Sequence, residues 1–250
     1  MEIVLLTAIG VGGATVVGAL LGMIFKNISH KFSDIVLGFA SGIMLCAAVV
    51  GLILPSISDG KFSIIVTVIG IFCGAFVLNL IDRLVPHLHQ FANKDFDKHT
   101  NNQENINKIL LFVLAIAIHN FPEGIAAGVG FGSGNSSEAL TIAGGIALQN
   151  IPEGMVIIAP LLAVGVGKAK TFVIAAATGV IEVVGTLFGY FAVNISVAFL
   201  PFSLAFAGGT MLYIISDEMI PETHSHGNER GATFSLLIGF ALMLIMDHFL

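Results

Sequence analysis

Two stretches, His119-Asn120-Phe121-Pro122-Glu123-Gly124 and Gln149-Asn150-Ile151-Pro152-Glu153-Gly154, repeat one polar motif inside long apolar runs. His119 and Glu123 are four residues apart, and Asn120 and Glu123 three. On a helix either spacing stacks side chains on one face, a turn apart. Gln149, Asn150 and Glu153 repeat the arrangement. Imidazole nitrogen together with carboxylate oxygen is a ligand set for Zn²⁺, Fe²⁺ or Mn²⁺. Pro122 cannot donate to the Ile118 carbonyl, nor Pro152 to that of Leu148, so each motif also frees a backbone oxygen.

Glu182 adds a third carboxylate within Thr178-Gly-Val-Ile-Glu182-Val-Val-Gly. An ionised acid at the centre of a bilayer costs about 2.5–3.5 kcal/mol on insertion scales. No lysine or arginine lies within the apolar runs to pair Glu123, Glu153 and Glu182. These acids must hold protons or share cations. One divalent ion plus one proton balances their charge, whereas two divalent ions overcompensate it. Asn and Gln also serve as hydrogen-bonding glue between membrane helices. One His, two Asn, one Gln and three Glu together point beyond glue, to a cation pathway.

The elements that carry these groups are membrane spans. The chain has 250 residues, is 56% hydrophobic and only 10% charged, with a mean hydropathy of +0.98. Apolar runs of about 18 residues or more read as transmembrane helices. Eight are predicted, at about 3–25, 33–55, 62–81, 109–131, 139–163, 171–193, 200–220 and 232–249. The fold class is therefore all-α, a polytopic membrane protein of one domain with no room for a folded soluble domain. The Met-Glu start lacks the basic region of a cleaved signal peptide, so 3–25 is expected to be a retained span. Cys46 and Cys73 fall inside spans and read as packing residues. With no tryptophan, Tyr190, Tyr213 and phenylalanine must supply any interfacial belt. All but Lys61 of the ten basic residues follow odd-numbered spans, which predicts cytoplasmic loops there and both termini outside.

The segment 82–108 reads as a mobile cytoplasmic loop. Its His87, His89 and His99 belong either to a solvated connector or to a weak metal-gathering loop, and the same two readings apply to His224-Ser225-His226. The Gly/Ser turn at 131–137 makes spans four and five antiparallel neighbours, so their motifs can meet at similar depth. Asp217, Glu218, Glu222 and His224 read either as an acidic helix end or as a staging site at the cytoplasmic mouth. Met44 reads as core or lipid-facing, and His248 as a solvated terminus.

These residues resemble the ZIP (Zrt/Irt-like) family of divalent metal transporters over essentially the whole chain. The motif His119-Asn120-x-Pro122-Glu123-Gly124 is specific to it, and Gln149-Asn150-x-Pro152-Glu153-Gly154 most resembles the prokaryotic GufA-like branch. The resemblance implies a first metal site of His119, Glu123, Gln149 and Glu153. It implies a second of Asn120, Glu123, Asn150, Glu153 and Glu182, with Glu123 and Glu153 bridging. It places Asp217, Glu218, Glu222 and His224 on a cytoplasmic exit route and Met44 on the outer entrance. Asn150, where some relatives carry aspartate, weakens the second site. The resemblance further implies a homodimer in the cell membrane and an elevator-like motion of spans one, four, five and six against the rest.

The resulting expectation is uptake of zinc, or of cadmium, iron, manganese or cobalt, as bound substrate and with no catalytic cofactor. A selective metal channel and a metal efflux antiporter are the alternatives. An enzyme is not expected: an intramembrane metalloprotease needs an HExxH helix, and Asn120 follows His119. The net charge is −6 and the ten basic residues are spread over short loops, which gives no nucleic-acid surface.

Overall fold

The computed structural model describes residues 1–25, 29–57, 63–84, 117–163, 165–195 and 197–249. The described residues are almost wholly helical and contain no strand. We number the helices α1 (Glu2–Ile24), α2 (His30–Ser56), α3 (Ser63–Leu84) and α4 (117–130). They continue with α5 (Ser136–Leu162), α6 (Lys168–Ile195), α7 (Leu200–Thr223) and α8 (Glu229–Phe249). Seven of these are long and apolar enough to cross a membrane. The eighth, α4, is described over 117–130. The predicted segment 109–116, the loop with His87, His89 and His99, and Lys61 lie outside the described residues. The observed helices overrun several predicted spans, because polar first-turn residues such as His30, Lys168 and Glu229 extend them into the interface.

Local chemistry sets the helix ends. The Ser29 hydroxyl accepts from the Phe32 N–H at 3.2 Å and caps α2. Between α4 and α5 the chain makes a 3₁₀ turn, Phe131–Ser133. Gly134 follows at φ 76°, a left-handed conformation that suits glycine. Asn135 then caps α5 by accepting from Ser137 N–H at 3.1 Å. The predicted turn is therefore present, and it folds α5 back along α4.

Two helices widen into π segments, Ala47–Ile53 in α2 and Ile215–Met219 in α7. Leu54 N–H bonds Val49 O, and Ile220 N–H bonds Ile215 O, five residues back in each case. Each segment lies just before a proline, Pro55 or Pro221. A proline ring clashes with the carbonyl four residues earlier, here that of Gly51 or Asp217, and a wider turn relieves the clash. In α5 Pro160 has the same effect on Val156, and the helix breaks at Ile157.

Glycines set how closely the helices pack. A Cβ added at Gly12 of α1 would strike the Gly179 carbonyl of α6, and one at Gly154 of α5 would strike the Thr15 carbonyl of α1. Gly124 of α4 meets the Glu182 carbonyl of α6 in the same way. These contacts bind α1, α4, α5 and α6 backbone to backbone. A second set ties Gly42 of α2 to Leu236 of α8, and Gly74 of α3 to Phe206 of α7. Between the two sets the glycines face side-chain ends. Gly145 of α5 meets Met243 of α8 and Ile43 of α2, and Gly51 of α2 meets Ile142 of α5. Small residues allow close approach where no hydrophobic force drives helices together. Outward rows such as Ile64, Ile65, Val68 and Phe72 on α3 stay exposed, as a lipid-facing surface requires.

Candidate functional site

The motif side chains of α4 and α5 meet in the interior beside α1 and α6. Asn120, Glu123, Gln149, Asn150 and Glu182 are all buried, while Glu153 is partly exposed with its Oε1 buried. Glu123 lies within electrostatic reach of both Glu153 and Glu182, and His119 within reach of Glu153. Gln149 sits close enough to bear on the Glu123 carboxyl, yet neither of its amide atoms completes a hydrogen bond.

Glu182 is the fixed point. Thr15 Oγ1 donates to its Oε1 at 2.6 Å, and Asn120 Nδ2 donates to the same oxygen. Asn150 Nδ2 donates to Oε2 at 2.5 Å, and also to the Val11 carbonyl at 3.3 Å. Three donors from three helices thus converge on one buried carboxylate.

Around this frame lie polar atoms with no partner: Glu123 Oε2, Gln149 Oε1 and Nε2, Asn150 Oδ1 and Glu153 Oε1. Leaving such a group buried and unbonded costs about 1–3 kcal/mol, and more when it is charged. Two carboxylate and two amide oxygens from adjacent helices match the donor types of a divalent-cation site. Among the described residues no three His, Cys, Asp or Glu side chains converge on one point to ligate an ion. The inward-facing set therefore depends on amide oxygens as well as carboxylates.

His119 faces elsewhere. Its Nε2 lies 2.8 Å from Glu218 Oε1 in the π segment of α7. The spacing in α4 revealed His119 as a donor but not this partner. To the two readings of Glu218, helix end or staging site, the structure adds a contact that neither specified, to the motif itself. Asp217 lies exposed on the same segment, and Glu222 is partly buried one turn later. His224 is fastened at both nitrogens: Nδ1 is 2.9 Å from Ile220 O and Nε2 is 3.1 Å from Thr233 Oγ1. His226 Nδ1 meets buried Asp34 at 2.9 Å. Asn228 donates to the other Asp34 oxygen at 2.9 Å, so these contacts tie the α7–α8 turn to α2. Met44 is buried in the core, and His248 is exposed against Phe249. Cys46 and Cys73 are free thiols.

Thr15 and Val11 of α1 were not legible as site residues. The only available signal was a hydroxyl in an otherwise apolar span.

Residues 95–247 match the family model described as ZIP Zinc transporter. The chain belongs to the ZIP zinc transporter family. The transporter is 39% identical to "Zinc transporter GufA" of Myxococcus xanthus over 94% of each chain. It is 36% identical to "Zinc transporter ZIPB" of Bordetella bronchiseptica, over 94% of this chain and 77% of that one. It is 28% identical to "Zinc transporter ZIP11" of Homo sapiens, over 94% and 93%. The similarity to GufA agrees with the branch indicated by glutamine at the head of the second motif. This is a multi-pass membrane transporter and not an enzyme.

Proposed function

We propose that the transporter carries divalent transition-metal ions, zinc first, into the cytoplasm by alternating access to the cluster on α4, α5 and α6. The observation that carries this reading is the group of unpartnered buried oxygens of Glu123, Gln149, Asn150 and Glu153. A desolvated cation held among them would supply the partner that these oxygens lack. Glu123 and Glu153 supply the charge, and Gln149 and Asn150 supply amide oxygen. His119 joins when it leaves Glu218. Glu182 and Asn120 form the outer frame, because each is already committed to the other. With the Glu182 oxygens accepting from Thr15, Asn120 and Asn150, a single ion is the working stoichiometry. The relatives' printed names favour zinc, and imidazole with carboxylate suits it.

The glycine contacts support the mode of access. Rigid backbone contacts join α1, α4, α5 and α6 into one body; α2 pairs with α8 and α3 with α7 in the same way, and Gly208 of α7, against Ile53 and the Ala48 carbonyl of α2, joins those two pairs. The surface between them is made of side-chain ends that can slide. The His119–Glu218 pair crosses that surface. Asp217, Glu218 and Glu222 then line the way out, and Met44 lies toward the outer entrance. The lysine and arginine bias supports a cytoplasmic placing of the loops after odd-numbered helices, with both termini outside. Residence in the cell membrane and a homodimer rest on the family resemblance.

The test is zinc uptake into liposomes that contain purified protein. Glu123→Ala and Glu153→Ala should each abolish saturable, temperature-dependent uptake. Uptake at the wild-type rate in either variant refutes the site, and single-channel currents refute the carrier.

A further inference from the structure

Most buried or membrane-embedded threonines in this chain return their hydroxyl to their own helix. Thr7, Thr141, Thr178, Thr186 and Thr210 each donate to a carbonyl three or four residues back. Such back-bonding is the usual resort of a helical threonine. Thr15 does otherwise. It is only 1% exposed, and its hydroxyl crosses from α1 to Glu182 on α6 at 2.6 Å. The Val11 carbonyl, four residues back, accepts from Asn150 of α5 instead. The backbone around Thr15 has no slack. Gly154 of α5 is pressed on the Thr15 carbonyl, and Gly179 of α6 on that of Gly12.

The consequence falls on Asn150. Its two amide hydrogens are taken by Glu182 and by Val11. Its Oδ1 therefore points away from both, buried and without a partner. Glu182 can hold Asn150 in this sense only while its own carboxyl group is fixed, and Thr15 fixes it together with Asn120 at the other oxygen.

We propose that Thr15 is a positioning residue of the metal site: its hydroxyl pins Glu182, which orients the Asn150 amide so that oxygen, not NH₂, is offered to the cargo. The proposal rests on reading α4–α6 as the metal site.

The experiment compares Thr15→Val, Thr15→Ala, Thr15→Ser, Asn150→Ala and Thr15→Val/Asn150→Ala in liposomes. Zinc uptake is measured for each, together with zinc Kd by chelator competition and the melting temperature. Loss of one buried hydrogen bond predicts a rise of up to about tenfold in KM and Kd for Thr15→Val. Vmax should hold. Thr15→Ala, which removes the donor without adding an apolar branch, should match it, and Thr15→Ser should restore wild-type values. Because Thr15 acts through Asn150, adding Thr15→Val to Asn150→Ala should leave Kd where Asn150→Ala alone put it. Wild-type KM in Thr15→Val overturns the proposal. So does a loss confined to Vmax or melting temperature, a serine variant as impaired as valine, or effects that multiply in the double variant. Glu123→Gln serves as the control. Wild-type transport by Glu123→Gln sinks the site itself; inactive Glu123→Gln beside wild-type Thr15→Val sinks only the role given to Thr15.

Discussion

Glu182→Gln is nearly isosteric, and the structure gives it a particular consequence. Both oxygens of Glu182 accept: Oε1 from Thr15 and Asn120, Oε2 from Asn150. A glutamine offers one acceptor and one NH₂. If its oxygen keeps Thr15 and Asn120, its NH₂ confronts the Asn150 NH₂, and Asn150 must flip. If it turns over, Asn120 must flip instead. Either way one asparagine presents NH₂ where it had presented oxygen. The loss is at least one buried hydrogen bond with its polar partner left unsatisfied, about 1–3 kcal/mol, or roughly 5–150-fold in zinc affinity. Zinc Kd by chelator competition and the KM of uptake should both rise by that factor. Adding Asn150→Asp returns an acceptor opposite the glutamine NH₂ and restores the local charge. The Glu182→Gln/Asn150→Asp pair should therefore recover most of the affinity. A double variant no better than Glu182→Gln alone refutes the reasoning, as does a Glu182→Gln variant with wild-type Kd.

Two further tests concern the contacts that surround the site. Glu218→Ala releases His119 from a partner at 2.8 Å in a partly exposed pair; zinc should bind about two- to fivefold more tightly, measured by the same competition. Gly12→Ala drives a methyl into the Gly179 backbone, whereas Gly145→Ala meets the flexible end of Met243. The first should lower thermal stability by about 1–3 kcal/mol and the second by much less, as read by melting in detergent.

The sequence made the eight-helix architecture legible because every span is a long apolar run. It made the buried polar cluster on α4, α5 and α6 legible because a carboxylate in such a run has few other uses. The α4–α5 turn was also readable, from Gly134 and Asn135. Contacts made across helices were not. Thr15 to Glu182 spans 167 residues of sequence, and no periodicity in α1 distinguishes it from Thr7. The His119–Glu218 pair depends on how α4 meets α7. His224 looked like a ligand by type, yet Ile220 and Thr233 occupy its nitrogens. The π segments are governed by prolines that lie downstream of them, a relation between turns that a count of apolar residues does not register.

The π segment of α7 has a consequence for chain length. A helix that closes one bond over five residues holds one residue more than a regular helix of the same rise. Each residue turns an α-helix by about 100°. Ile215–Met219 thus stores a single surplus residue beside Pro221, and that surplus offsets the facing of everything after it from everything before. Glu218 reaches His119 through this offset. Along α7, register determines the aim of the carboxylate as much as residue identity does, and a one-residue deletion here would change the geometry more than most substitutions could.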